Sequence, residues 1–172
     1  TYIAVTHSPF LRLFPFAVAT TLNPSRPFYS TMSNRVDEGP VLLFDGVCNL
    51  CNGSVQFIIE RDPEGVFSFA PLQSAAAGTL LARHGLDPDH LDSVVLVEED
   101  RCYTGSTAAL RAAAHLGGVY RLLWSLRFVP RQVRDRVYDF VAERRYDWFG
   151  RRDKCMVPGP DIEARFLGGG PG

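Results

Sequence analysis

The chain has 172 residues, 46% of them hydrophobic and 22% charged, which suits one domain with a core plus an appendage and excludes two domains of ordinary size. Its 18 basic side chains against 19 acidic ones leave a net charge of -1, so there is no global pull toward nucleic acid or an anionic membrane. Four cysteines, at 48, 51, 102 and 155, are too sparse for a small secreted scaffold held by disulfides.

Residues 1–36 contain no Asp or Glu, carry Arg12, Arg26 and Arg35, and mix Ser, Thr, Pro and Phe without a sustained period. That composition resembles an organelle transit peptide, which would send the chain to a plastid or mitochondrion. Two other readings stand beside it. Residues 11–20 resemble the apolar part of a secretory signal ending near Ala17-Val18-Ala19, and Met32 would serve as the start of a cytoplasmic protein. Arg12 and the prolines interrupt the only long apolar stretch, so no membrane span is expected. Residues 1–38 are read as a targeting or disordered segment, and the fold is expected to begin near Gly39.

Alternating units follow. VLLFD, residues 41–45, has the length and apolarity of a buried strand, and Gly46 allows a tight turn into a helix over 48–61. Asp62-Pro63-Glu64-Gly65 ends that helix. VFSFAPL predicts a second strand, SAAAGTLLARHG a second helix closed by Gly85, and SVVLVEE, residues 93–99, a third strand. Asp100-Arg101 reads as a hairpin turn into a short antiparallel strand at CYTG, after which Ser106 or Thr107 offers an N-cap for residues 107–116. Beyond Gly117 and Gly118, VYRLLWSLRFV predicts a helix stopped by Pro130. Residues 130–149 predict another, with Val133, Val137, Phe140 and Val141 along one buried face. Residues 39–160 thus form one α/β domain whose last helices extend it, and 161–172, ending in GGGPG, are expected to be a flexible tail.

The cysteine pair carries the chemistry. C-x-x-C where a buried strand gives way to a helix places a thiol beside unpaired first-turn N–H groups and the positive end of the helix dipole, which stabilise a thiolate. Cys48 is therefore expected to be exposed and to attack, with Cys51, one turn on and less exposed, resolving the mixed disulfide. Asp45, three residues earlier, has two readings. It takes the Cys51 proton if burial raises its pKa, or it only caps the helix and fixes the Gly46 turn.

D-G-x-C-x-x-C after an apolar strand, here Asp45, Gly46, Cys48 and Cys51, resembles the DCC family of thioredoxin-like proteins. Arg145, Tyr146, Phe149 and Gly150 match that family's second signature, R-Y-x-x-F-G, which Cys155 follows. The resemblance covers residues 40–158 and implies a thioredoxin-like mixed sheet with a helical C-terminal extension and protein-disulfide oxidoreductase activity. Its accessory residues would be Gly46, Arg145, Tyr146 and Cys155. Asn49-Leu50 stands between the cysteines where thioredoxin itself has Gly-Pro.

The remaining candidates have plainer readings. Cys102 is expected to be a small strand hydrophobe. Cys155 lies among Arg152, Asp153 and Lys154, a setting that can activate a thiol. One short-spaced pair makes a poor zinc set, and the aromatic, arginine-rich stretch 144–154 reads as a helix end rather than a nucleic-acid site. The sequence thus points to thiol-disulfide exchange by a monomer, with no organic cofactor. Its partners would be a disulfide-containing protein or small thiol substrate and an unidentified reductant. A metal-binding or partner-docking module with non-catalytic cysteines is the alternative.

Overall fold

A computed structural model describes residues 39–87, 93–99, 101–153, 159 and 162–168. The targeting segment, Cys155 and residues 169–172 of the GGGPG end lie outside the described residues. β1 (Val41–Phe44) is buried along its whole length, as an unbroken apolar run requires of a strand covered on both faces. It pairs parallel with β2 (Ser68–Pro71) and antiparallel with β3 (Val95–Glu98), and β3 pairs antiparallel with β4 (Arg101–Thr104). The order β2-β1-β3-β4 is a mixed sheet flanked by helices, the thioredoxin-like architecture.

Strand periodicity divides the core in two. Val41 and Leu43 of β1 pack with Ala76, Ala77, Leu80 and Leu81 of α2 (Ala75–Arg83). Leu42 and Phe44 face the other way, onto Val55 and Ile58 of α1 (Asn49–Arg61) and Ala108 and Ala112 of α3 (Gly105–His115). Ser74 caps α2 as a short polar side chain should, its hydroxyl accepting the Ala77 N–H at 3.2 Å. α3 departs from expectation. It starts at Gly105, and neither Ser106 nor Thr107 is its cap, because the Ser106 hydroxyl is committed to Asp135 instead.

Two further differences bear on the site. Residues Gly118–Phe128, expected to be an α-helix, form a 3-10 helix with no buried residue, leaving Val119, Leu122 and Phe128 exposed. With no face held against the sheet, nothing there selects the 3.6-residue period. α4 (Arg131–Phe149) forms as expected but rotated. Val133, Val137 and Phe140 are exposed, and the inward stripe is Tyr138, Val141, Ala142 and Arg145, of which only Arg145 is fully buried. At the C-terminal end, Phe166 and Leu167 are not a flexible tail. Both are buried against β2, with the Leu167 N–H donating to the Phe69 carbonyl at 2.8 Å. Among the described residues, no helix is long and apolar enough to cross a membrane.

Candidate active site

β1 ends at Phe44, and the chain turns through Asp45, Gly46 and Val47 into α1, so the cysteine pair stands at the carboxyl end of the sheet, where open α/β folds gather reactive groups. Cys48 is the N-cap residue of α1 and its Sγ accepts the Cys51 N–H at 3.5 Å. Asn52, wholly buried, clamps the same loop through its Nδ2, which donates to the carbonyls of Gly46 at 2.8 Å and Cys48 at 2.7 Å. Its place one turn before Val55, on the helix face that turns inward, was the available signal for it.

The expected exposure of the two thiols is reversed. Cys48 is 0% exposed, while Cys51 is only half-buried. The cover on Cys48 comes from the end of α4. Residues 149–152 lie over the loop as a strap, pairing Arg151 with Cys48 in an isolated bridge. The Arg152 N–H donates to the Val47 carbonyl at 2.8 Å, Asn49 Nδ2 to the Phe149 carbonyl at 2.9 Å, and Arg152 Nε to Asn49 Oδ1 at 2.8 Å. Gly150, at φ 77°, is needed there, since a Cβ would stand 3.2 Å from Asn49 Nδ2.

Burial, then the neighbouring Cys48 sulfur, pushes the Cys51 thiol up to about 12. Cys51 is therefore protonated at neutral pH in the reduced protein. A stability consequence follows. An ordinary thiol near 9.0 ionises in the unfolded chain before Cys51 does in the folded one, so this contribution is complete below pH 9 and lost as pH rises toward 12. Urea unfolding of the reduced chain should show its midpoint falling over that window more steeply than in Cys51→Ser.

Asp45 is 7% exposed and fully bonded. Its Oδ1 accepts the Val47 N–H and Gln73 Nε2, each at 3.0 Å, and its Oδ2 accepts the Tyr146 hydroxyl and Arg145 Nη2, the latter at 3.4 Å. Burial works to raise its pKa, but these donors and the guanidinium charge outweigh it and hold the carboxyl below the usual range. That is the opposite of what a proton acceptor near neutral pH requires, and the Val47 contact is the turn-fixing role. Arg145 and Tyr146, one hundred residues away, thus meet Asp45. Gln73, which also accepts the Gly46 N–H at 3.2 Å, has no signature in the sequence.

A cavity of about 610 Å3 lies between the sheet, α1, α3 and α4. Phe44, Val55, Ile58, Ala112, Val141 and Phe149 give it an apolar wall, on which Cys51, Asp45 and Arg145 also stand. Cys48 is not on it. Cys102 on β4 packs against the α2-side core, and burial pushes its thiol up to about 11, as befits a strand hydrophobe. Among the described residues, no three His, Cys, Asp or Glu side chains gather closely enough to hold a metal ion.

A family profile described as DCC1-like thiol-disulfide oxidoreductase matches residues 42–151. The Bacillus subtilis (strain 168) protein YuxK, described as uncharacterized, is 54% identical over 127 residues, 74% of this chain and 93% of that protein. A DCC family protein of Arabidopsis thaliana, described as chloroplastic, is 47% identical over 122 residues, 70% of this chain and 71% of that protein. No solved structure matches the chain.

Proposed function

The chain belongs to the DCC1-like thiol-disulfide oxidoreductase family, and on that premise we propose that Cys48 and Cys51 are its redox pair and reduce a disulfide substrate. One observation carries this reading: the two sulfurs share the N-terminus of α1, linked through the Cys51 N–H, and one of them opens onto a cavity. Access sets the order of action, so Cys51 attacks and Cys48 resolves. Cys51 bonds to one substrate sulfur as its proton goes to the other, which leaves as a thiol, and Cys48 keeps its own proton for the second product. Cys48 then displaces the second thiolate by attacking Cys51.

A second reading has the strap swing away so that Cys48 attacks first, favoured by the N–H already directed at its sulfur. The strap's hydrogen bonds, at about 0.5–1.5 kcal/mol each, make such opening affordable. Brief treatment of the reduced chain with iodoacetamide, followed by peptide mass spectrometry, should find Cys51 labelled first, and mild oxidation should close a Cys48–Cys51 disulfide. If no such disulfide forms, the redox assignment is overturned.

The acid-free N-terminal stretch, together with the chloroplastic description of the Arabidopsis relative, supports organellar targeting over a cytoplasmic start at Met32. Import into isolated plastids or mitochondria should shorten the chain to a product beginning near residue 37. Failure of both organelles to import it would leave the cytoplasmic reading.

A further inference from the structure

The cavity says more about the substrate than the cysteines do. Its volume, about 610 Å3, lies within the roughly 300–1,000 Å3 of small-molecule sites, and its wall is overwhelmingly apolar. The thiol it presents is Cys51. A disulfide carrying charged groups, such as a peptide-based one, would have to shed water from each of them to bring its sulfurs there, with Arg145 already engaged by Asp45 and Tyr146. An apolar disulfide gains from the same burial.

Resting on the exchange reading above, we propose that this cavity binds a small disulfide with alkyl or aromatic arms and delivers it to Cys51. The reaction balances as R–S–S–R plus the protein dithiol giving two R–SH and the protein disulfide. Two electrons leave the Cys48/Cys51 thiols, the substrate S–S bond breaks, and the Cys48–Cys51 bond forms. The two thiol protons end on the two products. A single turnover needs no other reductant, because the chain enters it reduced.

Gly53 provides the test. It is an exposed residue on the cavity's rim two residues after Cys51, within α1, and a Cβ built on it meets nothing within 4 Å, so Gly53→Leu adds bulk at the cavity mouth without a backbone clash. The substitution also removes a helix-interior glycine, so the fold should survive it. Single-turnover rate constants would be measured for the reduced full chain with dialkyl disulfides of increasing length and with the polar bis(2-hydroxyethyl) disulfide. Binding of a dialkyl thioether, which cannot react, would be followed by calorimetry.

The native chain should prefer the apolar series, with rate constants rising about threefold to fourfold per methylene until the cavity is full. It should also bind one equivalent of thioether. Gly53→Leu should flatten the length dependence and lose the thioether. Equal rates for polar and apolar disulfides, or a length dependence untouched by Gly53→Leu, would overturn the cavity proposal while leaving the exchange reading intact. Thioether binding without reduction of any disulfide would uphold the cavity and overturn the exchange reading. Preferential reduction of a protein disulfide such as insulin's would also overturn the small-substrate assignment.

Discussion

Cys48→Ser should accumulate a stable mixed disulfide with substrate at Cys51, whereas Cys51→Ser should trap nothing and reduce disulfides no faster than a free thiol does. Both variants should lose complete turnover, because each removes half of the electron-donating pair. Their asymmetry is the informative part. Cys51 is on the cavity wall and Cys48 is sealed under residues 149–152, so only Cys51 can make the first bond while the strap is closed. Among the described residues Cys102 is no substitute resolver, since it lies on β4 and packs into the cluster on the α2 side of the sheet. Non-reducing mass spectrometry of each variant after exposure to substrate decides the matter. Trapping by Cys51→Ser rather than Cys48→Ser would establish the open-strap order.

Asp45→Asn should destabilise the chain by about 3–5 kcal/mol, the usual result of leaving one member of a buried ion pair without the other. Arg145 is 5% exposed and its Nη2 is directed at Asp45 and the Tyr146 hydroxyl, so an amide in place of the carboxylate takes that counter-charge from a buried guanidinium. The pH dependence gives an independent check with a definite sign. A carboxyl whose folded pKa lies below its unfolded value of about 3.8 adds stability that is present above pH 4 and lost as pH falls through the lower folded value. Urea denaturation should show this acid loss in the native chain and not in Asp45→Asn. The resolving step should keep its pH profile in the variant, since the carboxylate is already ionised and saturated with donors. A lost acidic limb in that profile would instead make Asp45 the proton acceptor.

The strand, glycine turn and helix around the pair were legible because they are local: an apolar run, Gly46 and a fourteen-residue stretch free of prolines fix that unit without help from elsewhere. The link from Arg145 and Tyr146 to the same site came only through resemblance to a family signature, since no spacing rule joins positions one hundred residues apart. α4 shows why periodicity then misled. Two stripes compete on it, the more apolar being Val133, Val137 and Phe140, and burial preference alone selects that one. The helix turns the other stripe inward because Arg145 must reach Asp45, and one buried ion pair with its phenol outweighs three aliphatic or aromatic contacts. The same non-local strap hides Cys48. Helix-dipole reasoning places a favoured anion at that sulfur but is silent about what lies over it.

The Asp45–Arg145 and Asn49–Arg152 contacts, spanning 100 and 103 residues, also order events during synthesis. At roughly 5–20 residues per second, Cys48 and Cys51 emerge from the ribosome some 5–20 s before the segment that braces their loop and covers one of them. Through that interval both thiols belong to a nascent chain without its seal, open to oxidants and to other polypeptides. The finished protein screens Cys48 only once α4 has been translated and docked, so loss of the C-terminal third would leave a reactive dithiol with no control over what it meets.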